Sequence, residues 1–231
     1  MKPRSYGPFP YSPIIKRPRF RWPNGARVAL WVVPNLEHYE YLPRAGQPRD
    51  PWPRSPHPDI LGYTQRDWGN RVGLWRLFDV TDALGIRCTV SLSMSVIQHF
   101  PAILEGMEKR NWELMSHGIY NTRYHWNFTP DEERAAMLES REIHRKLTGR
   151  EQSGWFSPAI TNTLNTFDLA AECGYTYTAD LYHDDQPFPL NVKSGKLISV
   201  PYSVDLNDVI LHRKGEEAND FARQKIGRAH V

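Results

Sequence analysis

Apolar residues in this chain fall into short continuous runs that alternate with longer stretches at helical spacing. VALWVV (28–33) is continuous and of buried-strand length. NRVGLWRLFDVTDALG (70–85) brings Val72, Trp75, Leu77, Phe78, Thr81 and Leu84 near a helical period, and Gly85 stops it. IRCTVSLS (86–93) reads as the next strand. A helix from Val96 to Lys109 must start or kink at Pro101, which has no amide donor. WELMS (112–116) is a strand again. Thr129, Pro130 and Glu132 supply a cap, an N1 proline and a capping box for a helix running to Leu147, with Gly149 near its end. SGWF (153–156), YTYTA (175–179), KLISVPYS (196–203) and DVILHR (208–213) read as strands, and TLNTFDLAAECG (163–174) as a helix ended by Gly174.

Strands alternating with helices predict a parallel sheet with crossover helices. The first strand leads into NLEHYE rather than a GxGxxG loop, so a dinucleotide-binding fold is a poor match. An irregular (β/α) barrel fits better than an open doubly wound sheet. In either, function belongs at the C-terminal ends of the strands.

Composition changes this picture mainly at the two ends. Thirteen of the 19 prolines fall within residues 1–58, twelve of them in two stretches, 1–26 and 43–58, that flank the first strand. Residues 1–26 form a Pro/Arg-rich arm laid over the body or over a partner chain. The segment from Tyr41 to Asp59 is a long loop, of a length that is often functional. The body spans 27–213, and 214–231 is a polar tail. That tail ends in GRAHV and offers no further βα unit, which suggests a truncated or replaced terminus and a barrel lacking its last strand. The net charge of +3 comes from the arm: residues 1–27 hold seven basic side chains and no acid, leaving 22 basic against 26 acidic ones elsewhere. Nucleic-acid binding therefore ranks low. No apolar run is long enough to span a membrane. MKPRSYGPFPYSPII carries Pro and Tyr where a secretory leader is apolar, so the expected location is the cytoplasm, with Cys88 and Cys173 as reduced core thiols.

The strand exits collect the chemistry. Asn35, Glu37, His38 and Glu40 follow the first strand, and His117, Asn121, Arg123 and His125 follow 112–116. Ser157 and Pro158 follow 153–156. Asp180, His183, Asp184 and Asp185 follow 175–179, and Asp205, Asn207 and Asp208 follow 196–203. Glu37 is the best general-base candidate, since partial desolvation at a strand end would raise its pKa toward a useful range. His117 is placed to be a ligand or an acid/base imidazole, with Gly118 leaving room for a close backbone approach. His125 either takes part in the site or packs among Tyr124 and Trp126. Trp68-Gly69-Asn70-Arg71 either shapes a pocket floor or, at Asn70, caps a helix.

NLEHYE (35–40), DWGNRVGLWRLFD (67–79), SHGIYNTRY (116–124), YHDDQPF (182–188) and VPYSVDLND (200–208) together resemble the polysaccharide deacetylase (NodB-homology, carbohydrate esterase 4-like) superfamily, nearest its allantoinase-like branch of purine utilisation. The resemblance implies a distorted (β/α)7-type barrel, a TIM-like architecture, that hydrolyses a carbon–nitrogen bond. It puts Glu37 at the base position and His38 where a metal-binding acid usually stands. His117 matches the first histidine of an HxxxH motif, but Asn121 replaces the second. A zinc site on His38, His117 and His125 is thus one expectation, and a metal-free site the other. A late Leu-x-His motif lacks a match, because Leu211-His212 comes too early.

The implied chemistry is water activation by Glu37 and oxyanion stabilisation by metal or by amides near Ser157–Ala159. His117 is the acid if no metal is present. Asp184 or Asp185 would orient a basic partner or bind a substrate nitrogen, with Asp185 the catalytic choice. Trp68, Asn70, Arg71, Asn121, Arg123, Trp155, Pro158, Asp184 and Asn207 are the expected substrate contacts, with Trp126 a further aromatic wall. The expected substrate is a small cyclic amide or ureide. The alternatives are an N-acetyl glycan, or a non-catalytic binding or assembly protein that self-associates through the arm or an open barrel edge.

Overall fold

Leu36, Leu92 and Ser116 lie in register across three neighbouring strands, and this row aligns the ends that follow it. The computed structural model describes residues 7–19, 21–43, 60–209, 215 and 217–228. β1 (Asn35–Leu36) pairs with β2 (Thr89–Leu92), and β2 pairs with β3 (Glu113–Ser116), both in parallel. β4 (Gly154–Trp155) and β5 (Tyr177–Thr178) extend the parallel sheet. β6 (Phe188–Leu190) turns back antiparallel on β7 (Leu197–Ser199), giving the order β1-β2-β3-β4-β5-β7-β6. The helices are α1 (Ile60–Trp68), a π turn (Gly69–Gly73) leading into α2 (Leu74–Ala83), α3 (Met94–His99), α4 (Pro101–Lys109), α5 (Pro130–Thr148), α6 (Thr166–Glu172) and α7 (Ala218–Arg228). This is the expected α/β, barrel-like architecture.

The alternation of extended backbone sorts the core into an outer and an inner part. Outward residues such as Leu36, Leu92 and Trp112 pack with Phe78 and Met107, while Met137, Trp155, Phe167 and Tyr175 form a second outer cluster. The inward cluster joins Met115, Phe156 and Ala179 to Trp31, Val33, Tyr177 and Tyr202. Trp31 and Val33 lead into β1 and Tyr202 follows β7, so the sheet curls until its two flanks meet. Asn35 Nδ2 donates to Tyr202 Oη across that gap at 3.4 Å.

Several expectations shift. The first strand pairs later than 28–33: the carbonyls of Val32 and Pro34 accept from the amides of Thr89 and Ser91, while Val28 and Leu30 are exposed. Pro34 is tolerated because β1 is a sheet edge, where its missing donor leaves no ladder bond unmade. β6 escapes the sequence pattern because Pro189 interrupts it, and it too is an edge. Pro101 splits the 96–109 helix into α3 and α4. α1 was not expected, because Gly69 and Asn70 read as a boundary, whereas the backbone passes through them as a π turn. The polar tail carries a helix, α7. Most of the 41–59 loop, the 208–213 strand beyond Val209, Leu211-His212 and the terminal Ala229-His230-Val231 lie outside the described residues. The first 26 residues are described only from Gly7, without Phe20, and the arm lies against the body there: Phe9 joins the second outer cluster, and Pro8 O accepts from the amide of Asn191.

The capping box on α5 forms as the sequence indicates, with Thr129 and Glu132 bonded reciprocally and Gly149 left-handed at the end. One turn into this helix, Glu133 is wholly buried. Thr163 Oγ1 (2.7 Å) and Thr166 Oγ1 (2.5 Å) donate to it, and His125 Nδ1 lies 3.4 Å away. Burial pushes the Glu133 carboxyl up, but the bonds from His125, Thr166 and Thr163 outweigh it and hold it below its ordinary range. This knot ties the β3–α5 loop to the start of α6. Gly118, at φ +67°, faces Pro158 so closely that a Cβ would lie 2.4 Å from the proline Cγ.

Gly118→Ala should cost about 2–4 kcal/mol in urea unfolding, from left-handed strain plus overpacking. Glu133→Gln should cost ~3 kcal/mol at pH 7, because it breaks a buried pair. The lowered carboxyl contributes stability above its unfolded value of about 4.3, and that contribution disappears as pH falls through the lower folded value. The gap between variant and native protein should therefore close in acid, read as Tm against pH.

Candidate active site at the exits of β1, β3 and β4

β1 ends one residue before Glu37, and the strand period decides which of the next residues face the sheet interior. Glu37 and Tyr39 point inward and His38 points out. Tyr39 Oη donates to Glu37 Oε2 at 2.6 Å, while His117 Nε2, from the end of β3, stands 3.6 Å from Glu37 Oε1. The ring of His117 is held from behind: its Nδ1–H donates to Phe156 O at 3.1 Å, which leaves Nε2 free to face the carboxylate. Tyr39 is oriented by Asn121, whose Nδ2 donates to Tyr39 Oη at 2.7 Å and whose Oδ1 accepts from the amide of Ala159 at 3.0 Å. Asn70, in the π turn, donates to Glu37 O at 3.0 Å and fixes the backbone of the base itself. Exits of β1, β3 and β4 and the turn before α2 thus converge on one carboxylate.

Electrostatics follow from this packing. The Glu37 side chain keeps 31% exposure. Burial pushes its carboxyl up, yet the His117 imidazole, the Tyr39 hydroxyl and the Arg66 charge outweigh burial and hold it below the ordinary range. The expected upward shift is therefore reversed, because the neighbours stabilise the anion more than desolvation penalises it. Tyr39 is pushed well above its ordinary value by burial and by Glu37, so it stays a hydroxyl donor. Arg66 stacks over its ring at 4.4 Å. Behind His117, Asp180 is almost fully buried at the end of β5, accepting from the amide and hydroxyl of Ser157, each at 2.8 Å. Burial pushes it up to about 6, against those bonds and the His117 charge.

Of the expected site residues, Glu37, His117, Asn121 and Asn70 meet. Others do not. Asp185 is exposed, and the buried acid of this strand exit is Asp180, bonded to Ser157 and within electrostatic reach of His117. Asp184 is taken by the arm: Arg17 grips both its oxygens, at 2.8 and 2.6 Å. Arg123 pairs with Glu40, and Arg71 with Asp67. Trp155 is completely buried in the outer core, its indole N–H donating to Ser157 Oγ, so it lines no pocket. Trp68 is half-exposed beneath Arg76, and Trp126 is exposed. Pro158 packs on Gly118, and Asn207 donates to Tyr202 Oη at 2.9 Å. The amides of Ser157 and Ala159 are both spent internally, on Asp180 and Asn121, and cannot form the expected oxyanion site.

The three histidines do not make a metal site. His38 Nδ1 lies 3.1 Å from Ser95 Oγ within a cluster of His99, Phe100 and Tyr120 on the outer side. His125 stacks on Phe128 at 4.7 Å and faces Glu133. His117 serves Phe156 and Glu37. Among the described residues no three His, Cys, Asp or Glu side chains gather as a ligand set. The donors present do not fit a zinc ion, and no chemical step is routed through one. Tyr39 and Tyr202 are partners that sequence reasoning passed over, and Asp180 was placed at its strand exit without a role. The period of two in NLEHYE was the available signal for Tyr39.

Residues 63–178 match the family model for polysaccharide deacetylase. A curated Schizosaccharomyces pombe protein, provisionally named a polysaccharide deacetylase, is 24% identical over 218 residues, covering 81% of this chain and 67% of that protein. The crystal structure of PuuE allantoinase superposes with a TM-score of 0.72 at 26% identity, over 87% of this chain and 70% of that one. A probable polysaccharide deacetylase from Pseudomonas aeruginosa PAO1 gives a TM-score of 0.68 at 27% identity, over 82% and 67%. No helix among the described residues is long and apolar enough to cross a membrane. Together with the barrel-like sheet and its ring of polar strand exits, these likenesses place the chain in the polysaccharide deacetylase family of carbon–nitrogen bond hydrolases.

Proposed function

We propose that this chain hydrolyses an amide-like carbon–nitrogen bond of a small cyclic amide or ureide through Glu37 and His117, without a metal. The observation that carries this is the Glu37–His117 contact at 3.6 Å, with the carboxylate braced by Tyr39 and the imidazole by Phe156 O. Glu37, ionised, takes a proton from water as its oxygen attacks the carbonyl carbon. The carbonyl becomes a tetrahedral oxyanion. Protonated His117 gives its Nε2 proton to the departing nitrogen as the carbon–nitrogen bond breaks. The proton on Glu37 then passes to His117 across their contact, and the pair is restored. Likeness to an allantoinase fold favours a ureide over a glycan, and the partly enclosed carboxylate suits a small ligand.

Glu37→Gln and His117→Ala should each lower kcat/KM by at least ~100-fold on a panel of allantoin, related ureides and N-acetylated chitooligosaccharides. Full activity in both variants would overturn the assignment, and turnover of the oligosaccharides alone would move the substrate to glycans. EDTA should leave the rate unchanged; loss with EDTA and recovery with zinc would restore the metal reading. Tyr39→Phe removes a hydrogen bond that holds Glu37 low. The acid limb of the pH–rate profile should accordingly move to higher pH in that variant.

A further inference from the structure

Ser93 directly precedes α3, a position where a serine usually caps the helix, yet its hydroxyl makes no capping bond. Ser93 Oγ is fully buried and, among the described residues, has no hydrogen-bond partner. Buried hydroxyls are seldom left unpaired, because desolvation is then uncompensated.

The register shows what surrounds it. Leu36 pairs with Leu92 and Leu92 with Ser116, so the next row across the sheet is Glu37, Ser93 and His117. The amide of Ser93 bonds Leu36 O, and that of His117 bonds Leu92 O, which carries the parallel ladder to this row. β1 and β3 lie two strand spacings apart, about 10 Å. Glu37 and His117 reach 3.6 Å by leaning toward each other over the strand between them, and the register puts Ser93 in the same row on that strand. The contact is longer than a hydrogen bond, so among the described residues Glu37 Oε1 holds no close donor while Oε2 holds Tyr39. An unpaired hydroxyl thus shares a row with an acceptor that has room for one.

We infer that Ser93 is a positioning residue for Glu37: its hydroxyl rotates to donate to Glu37 Oε1 whenever His117 Nε2 turns away. The role rests on the Glu37–His117 reading and deepens it. During the proposed cycle His117 leaves Glu37 to protonate the nitrogen, and Ser93 keeps the Glu37 carboxyl oriented until its proton returns to His117. With His117 in place, the same hydroxyl is idle and its burial costs stability.

A double-mutant cycle read by thermal unfolding of the full chain tests this without any substrate. Ser93→Ala in the native background should leave Tm unchanged or raise it by about 2–4 °C. His117→Leu fills the space of the ring and removes its nitrogen, which leaves Oε1 to the Ser93 hydroxyl if the inference holds. In that background Ser93→Ala should lower Tm by a similar amount. His117→Phe serves the same purpose should the leucine variant not fold. A shift of the same sign and size in both backgrounds overturns the inference. Turnover adds a second readout in an active chain: Ser93→Ala should lower kcat about 10-fold with KM unchanged, and an unchanged kcat also overturns it. Because the cycle needs no turnover, an additive result in an active chain removes Ser93 alone. Coupling in a chain inactive on every amide removes the hydrolytic reading and leaves the hydroxyl as a partner of Glu37.

Discussion

The parallel register of three strands is the constraint on which the rest depends. Leu36, Leu92 and Ser116 share a row, and the outer face of that row is tied to the hydrophobic packing of α2 and α4. A slip of one residue in β1 would exchange faces for every side chain beyond it. Glu37 would then point at the helices and His38 into the barrel. The apolar core thereby specifies the site: Leu36 has to be outside, so Glu37 has to be inside. Asn70 reinforces the same choice from the π turn by binding the carbonyl of Glu37.

The sheet positions the acid and base coarsely, and loop polar groups refine them. Each loop donor has one task. Asn121 joins the β1 exit to the β4 exit by holding Tyr39 with one end and Ala159 with the other. This explains why an asparagine suits a position where the family motif has a metal-binding histidine. Its amide offers a donor and an acceptor together, and both are used within the protein. Ala159 and Ile160 adopt positive φ, at 49° and 58°, close to this bridge. Such backbone is unfavourable for residues with a Cβ, and it persists here where Asn121 and the Pro158–Gly118 contact fix the turn.

Much of the fold was legible because its signals are local. The capping box at Thr129, the stop at Gly85 and the apolar runs of β2 and β3 each announce one element. Edges were harder: Pro34 and Pro189 argue against strands in general but not at a sheet margin, where no partner needs their amides. The site divided along the same line. Glu37 and His117 were visible as polar residues at strand ends. His38 was misplaced because neighbours in sequence were treated as neighbours in space, although extended backbone sends them to opposite faces. Asp184 and Asp185 drew attention as a charged pair, while Asp180, two residues beyond β5, is the buried acid, bonded to Ser157. Nothing local in the sequence reveals that Arg17 claims Asp184, since 167 positions separate them.

That separation has a consequence for how the molecule is made. The arm leaves the ribosome well before its carboxylate anchor, which lies 167 positions further on. Arg17 has nowhere to dock until β5 has joined the sheet, so this clasp closes a long loop and does so late in assembly. The clasp thus joins two segments that translation makes far apart in time.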